Sequence, residues 1–183
     1  MPTLGARKKS RTVPKSFRID ESALRAIEVE AAAQSVSPNT LVNQILKQYA
    51  EFDRFARKIN TVKVSSATFR GVLSAAEIDK IIDVAKESGS SIPQAFATAK
   101  NGKVDLDSLI DHIRSLASYA HLCELSETLD PHGHVVTLIH DFGLSWSIFL
   151  VHYITAMFAQ IGLSPRIEMS DRSAIFTLPS GKL

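Results

Sequence analysis

The spacing of apolar and polar positions changes period several times along the 183-residue chain. From Thr12 to Ile19 the period is two. Val13, Lys15, Phe17 and Ile19 fall on one side and Pro14, Ser16 and Arg18 on the other, which predicts a short strand whose first face is mostly apolar. Pro14 has no N–H to give, so the strand cannot be central unless that position points away from its neighbour. Asp20 stands where a helix N-cap belongs. Leu24, Ile27 and Ala31 then recur at helical spacing and predict a helix from Glu21 to about Gln34. The polar run from Ser35 to Thr40 breaks it. Ser37 and Pro38 suit the N-cap and first turn of a second helix reaching about Lys58, with Leu41, Val42, Ile45, Leu46, Tyr49 and Phe52 as its stripe.

Strand, helix, turn and helix over residues 12–58 make a unit too small to bury its own surfaces. A lone strand also leaves its backbone N–H and C=O groups without a ladder. A second copy offering the same strand antiparallel repairs both defects. The expectation is an obligate homodimer with a two-stranded ribbon laid over paired helices, in which Phe17 and Ile19 face the helices as core.

Residues 61–183 predict a second, α+β domain with an antiparallel sheet. Thr61 to Ser66 alternates like a strand. Ser74 and Glu77 form a capping-box pattern opening a helix to about Ser88, with Ile78, Ile81, Ile82 and Ala85 inward and Gly89 as its stop. A short helical piece follows at Pro93–Thr98. Asp105 or Asp107 caps a helix to about Ala120, with Leu106, Leu109, Ile110, Ile113 and Leu116 inward. His121–Leu129 and His134–His140 read as strands around the turn Asp130-Pro131-His132-Gly133. A long helix from about Leu144 to Ile161 ends at Gly162, and Arg166–Met169 with Ser173–Leu178 closes the chain as a hairpin.

Net charge is only +2, but it is unevenly placed. Residues 1–60 hold 11 Lys/Arg against 6 Asp/Glu, and residues 61–183 hold 10 against 13. Residues 1–11 read as a flexible basic arm carrying Arg7, Lys8, Lys9 and Arg11, and no acid precedes Asp20. A basic end on a mildly acidic body points to a polyanion partner. The single cysteine, Cys123, excludes an internal disulfide framework. No secretory leader pattern opens the chain, so the expected location is cytoplasmic.

KSFRIDESALRAI followed by SVSPNTLVNQIL resembles the ribbon-helix-helix family, the MetJ/Arc class of DNA-binding proteins, over roughly residues 12–55. The resemblance implies a sequence-specific transcription regulator, such as a repressor, that inserts the paired strands in the major groove of double-stranded DNA. It places Ser16 and Arg18 on the reading face, with Lys15 or Pro14 at the rim. Arg18 has the fork to meet the O6/N7 edge of guanine. Pro14 departs from the threonine, lysine or arginine usual on that face. The resemblance also implies a phosphate grip at the start of the second helix by Ser37, Asn39 and Thr40. Arg7, Lys8, Lys9 and Arg11 would add contacts from the arm.

Three chemistries compete for the second domain. All six histidines lie at or after position 112, and His121, Cys123, His132, His134 and His140 fall within twenty residues. With His121 and Cys123 on one strand face and His134 and His140 on another, such a set could hold zinc, nickel or copper. No tight C-x-x-C or H-x-x-x-H spacing supports it, so the first expectation is no cofactor. The 24 residues from Phe142 to Pro165 carry no Asp, Glu, Lys or Arg, yet their many polar residues suit a central helix better than a membrane span. Asp141, His140 and several serines come without a nucleophile elbow, phosphate loop or carboxylate pair, so no enzyme is expected. Trp146, Phe149, His152 and Tyr153 suit plain core or the lining of a ligand pocket. The domain is therefore expected to sense a small-molecule or metal effector, or to join dimers into tetramers. The alternatives are an antitoxin-type interaction protein with an autoregulatory DNA-binding head, and a metal-responsive regulator.

Overall fold

The computed structural model describes residues 12–130 and 133–179. The chain is α+β and divides into two compact units between Leu46 and Lys47, here called head and tail.

In the head, residues 12–20 are extended and exposed, followed by α1 (Glu21–Ala33) and α2 (Pro38–Gln48). Asp20 caps α1 as expected: its carboxylate accepts from Ser22 N at 2.9 Å and Ala23 N at 3.3 Å. The Ser22 hydroxyl, which donates to the same carboxylate at 2.5 Å, and then these two N–H groups hold its pKa below the ordinary carboxylate value. α1 ends in a Schellman motif. Ser35 takes a left-handed φ of 55°, Val36 N donates to Ala31 O at 2.9 Å and Ser35 N to Ala32 O at 3.1 Å. The strand expected over Thr12–Ile19 does not form in the single chain, because no neighbour supplies a ladder. Phe17 and Ile19 are accordingly exposed rather than core.

The tail begins within the last turn of α2, at Lys47. A π-helical turn at Tyr49–Asp53, α3 (Arg54–Ala56) and a 3₁₀ turn at Arg57–Ile59 follow, and Asn60 closes the last turn at φ 54°. Phe52, Phe55 and Ala56 are buried with Phe96 in a small aromatic cluster, so the end of the predicted head stripe belongs to the tail's packing. Thr61–Ser66 is not a strand. Residues 61–65 are extended and exposed without a ladder, and Ser65 caps α4 (Ser66–Ala75) through Thr68 N at 3.2 Å.

The largest difference from expectation is α5, which runs unbroken over Ile78–Asn101 and stops at Gly102. Gly89 does not end a helix, and Pro93–Thr98 is not a separate piece. Ile81, Ala85, Gly89, Pro93 and Ala97 form one buried stripe at four-residue spacing. A Cβ on Gly89 would lie 2.2 Å from Tyr153 O, so the glycine is there to let a second backbone approach. Pro93 deprives the Gly89 carbonyl of its helical donor, a local defect that the packed helix tolerates.

That second backbone is α7 (Leu144–Ala159), the central element of the tail, packed on α5 and on the sheet. α6 (Leu106–Ser115) precedes the sheet, held by the Asp105/Ser108 capping box, and a π-helical turn at Leu116–Ala120 follows it. The sheet contains β1 (Glu124–Asp130), β2 (Gly133–Ile139), β3 (Arg166–Met169) and β4 (Ser173–Pro179) in the order β1-β2-β4-β3, all antiparallel. Val136, Leu138, Ala174, Phe176 and Leu178 supply its buried face, and Leu150, Ile154, Met157 and Phe158 of α7 belong to the same core. Among the described residues no helix is long and apolar enough to cross a membrane.

Candidate functional site

Lys15, Ser16 and Arg18 all lie in the exposed extended segment before α1, and none of them has an ion-pair partner among the described residues. Their segment is fixed at its C-terminal end by the Asp20 cap. At the start of α2, Ser37 Oγ accepts from Thr40 N at 3.1 Å and lies 2.8 Å from Thr40 Oγ1. The cap thus occupies the Thr40 N–H that phosphate binding was expected to use. Pro38 has no N–H, which leaves Asn39 as the backbone donor of that first turn, with the Ser37 and Thr40 hydroxyls exposed beside it. Arg7, Lys8, Lys9 and Arg11 lie outside the described residues.

Comparison with protein-family models, with curated proteins and with solved structures finds no match.

The histidine and cysteine set of the tail is dispersed. His121 precedes β1 at a left-handed φ of 54°, so it shares no strand face with Cys123. Cys123 is buried, and burial pushes its thiol up to about 11, which disfavours the thiolate a metal needs. His134 Nε2 meets Glu127 Oε2 at 2.8 Å, and Glu127 is held in a bidentate pair by Arg114 at 2.6 and 2.7 Å. The Arg114 guanidinium keeps the Glu127 carboxyl below its ordinary pKa. His140 Nε2 lies 2.9 Å from Ser147 Oγ, and its Nδ1 accepts from Phe142 N at 3.3 Å. Because Nδ1 accepts, the neutral ring carries its proton on Nε2 and donates to Ser147. Ser147 is itself fully buried, so this Ser–His pair holds the entry to α7 and offers no open nucleophile. Among the described residues no three or more His, Cys, Asp or Glu side chains gather as a metal set, and His132 lies outside them.

Of Trp146, Phe149, His152 and Tyr153 on α7, Trp146 and Tyr153 are core. Trp146 Nε1 donates to Leu122 O at 3.1 Å, and the Trp146, Phe149 and Tyr153 rings stack in series along α7. His112, which no sequence pattern singled out, is fully buried with its Nε2 2.9 Å from Tyr153 Oη. Its Nδ1 has no hydrogen-bond partner among the described residues, and burial lowers its pKa to about 4. The two residues are 41 positions apart, so only the fold brings them together. An open cleft of about 580 Å³ carries Glu51, Asp105, Asp107 and Asp111 with Lys100 and Lys103. Both lysines are paired within it, Lys100 with Asp111 at 2.8 Å and Lys103 with Asp105 at 2.5 Å.

Proposed function

We propose that the protein is a homodimeric, sequence-specific DNA-binding regulator whose head pairs residues 12–19 of two copies into an antiparallel ribbon. The observation that carries this reading is an unfinished surface. An extended segment with strand alternation holds Val13, Phe17 and Ile19 in solvent, next to a helix that its last residue caps. A second copy of the same segment would complete the ladder and cover those side chains together. Arg18 and Ser16, with Lys15 at the rim, then meet base edges, and Asn39 with the Ser37 and Thr40 hydroxyls meets a backbone phosphate. The tail, with a core of its own, suits an assembly or effector domain. That argues against an antitoxin, whose partner-binding tail is expected to be disordered when free.

The test is selection of bound fragments from a random DNA pool, followed by affinity measurement on the best site. Arg18→Ala should weaken that site by about 1–3 kcal/mol and relax specificity at one base pair. Affinity should also fall steeply with salt, as phosphate contacts are screened. An Arg18→Ala protein that holds the selected site as tightly as the wild type would falsify the assigned reading face.

A further inference from the structure

The four-stranded sheet has two open edges, β1 and β3, and they are built differently. β1 reads ELSETLD, with acids and no cation, so no register of antiparallel pairing with its own copy gives an opposite-charge pair. Its Glu127 is moreover committed to Arg114 and His134. β3 reads RIEM, with opposite charges two residues apart on one face, and Arg166 Nη2 lies 3.2 Å from Glu168 Oε1. Both side chains are mostly exposed, and Met169 at the end of the strand is 50 % exposed.

We propose that β3 is a self-association edge, pairing antiparallel with β3 of a second copy of this chain and extending the sheet across a two-fold axis. The backbone fixes which groups are offered. Ser170 N donates to Ser173 O at 2.9 Å, closing the β3–β4 hairpin with a hydrogen-bonded pair. By alternation Arg166 and Glu168 also turn their backbone groups toward β4, whereas Ile167 and Met169 turn theirs outward. A two-fold perpendicular to the sheet keeps each side chain on its own face, so it must pass beside a residue and not between two. Centred on Arg166 or on Glu168, it would set that charge against itself. Centred on Ile167, it pairs Ile167 with itself by two backbone bonds and sets Arg166 against Glu168 of the second copy, twice. Met169 N then meets Pro165 O of the second copy, and the missing Pro165 N–H sets the limit of the ladder. Charge selects this register from the ones the backbone permits. The inference does not rest on the DNA-binding reading of the head.

The test is a full-length Arg166→Cys/Glu168→Cys protein under mild oxidation, read as covalent dimer on a non-reducing gel. In the Ile167-centred register these positions face each other as non-hydrogen-bonded pairs with Cα atoms about 4.5 Å apart, within disulfide reach. Covalent dimer is expected from the double variant and lost in either single variant. Cys123 stays out because it is buried. Adding Phe17→Asp to break the head pairing should leave the disulfide in place. Monomer alone from the double variant overturns the proposal. So does equal cross-linking by Glu168→Cys alone, which would mean a different register, or loss of the disulfide with Phe17→Asp, which would trace the contact to the head.

Discussion

In the tail, Phe158 and Phe176 are 0 % exposed, whereas in the head Phe17 is 65 % and Val29 72 % exposed. Both regions place their apolar residues with regular periodicity, so the difference is not one of patterning. The tail has enough layers to close on itself: α7 lies against α5 and the sheet and buries a residue at almost every turn. The head has a segment without a ladder and two helices, of whose residues only Ala31 and Leu41 are buried. Periodicity says which side of an element is apolar, and the covering surface has to come from elsewhere in the chain or from another chain. The sharpest way to break this contrast is to truncate one phenylalanine in each region. Phe158→Ala should cost the tail about 3–5 kcal/mol, read from denaturant unfolding through Trp146, the one tryptophan and a core residue of the tail. Phe17→Ala should move that transition by less than about 0.5 kcal/mol and instead raise the concentration at which the protein dissociates in sedimentation. Equal shifts in the Trp146 transition would erase the distinction.

A second handle belongs to the tail alone, since all the histidines lie there. His112 is held neutral by burial, with its pKa lowered from 6.5 to about 4. The unfolded chain therefore binds the extra proton first. Tail stability is complete above about pH 6.5 and falls as the pH drops toward 4, by up to about 3 kcal/mol from this group. Burial lowers His140 and His152 in the same direction. Unfolding curves at pH 7 and pH 4.5 should therefore differ, and the difference should shrink in His112→Gln. A pH response unchanged by that substitution would assign it to other groups.

Where local chemistry decides, the letters were mostly enough. Ser74, expected to open α5 in a capping box with Glu77, instead lies inside α4 with its hydroxyl donating to Arg70 O, and Glu77 makes no side-chain cap. Asp20, Ser37 and Asp105 each cap the helix expected of them, and the two hairpins form as alternation placed them, except that β1 begins at Glu124 and not at His121. They failed where a residue's local meaning was overruled from a distance. Gly89 and Pro93 read as punctuation, yet both sit buried inside α5, and Gly89 leaves room for the backbone of Tyr153, more than sixty residues on. Thr61–Ser66 alternates like a strand but finds no ladder. The His112–Tyr153 pair had no signature at all, since neither residue has a telling neighbour in sequence. In the candidate interface, the capping role of Ser37 was legible, but its capture of the Thr40 N–H, which leaves Asn39 as the donor, required the geometry.

The smallest expected effect sharpens the head's side of the comparison. α1 closes with Ser35 in a left-handed conformation that costs a residue bearing a Cβ more than it costs glycine. The motif's two bonds, from Val36 N and Ser35 N, show that the backbone holds this geometry without help from a glycine. Ser35→Gly keeps both bonds and removes the strain, while giving the unfolded chain more freedom to lose. The strain relief should win by about 0.5–1 kcal/mol, because the φ of 55° is the conformation glycine adopts at helix ends. Amide exchange at Val36 and Ser35 should slow accordingly, with no change in the Trp146 transition of the tail. Faster exchange at those amides would mean that the Ser35 side chain contributes something the hydrogen bonds of α1 do not account for, and that the head's order depends on more than its caps.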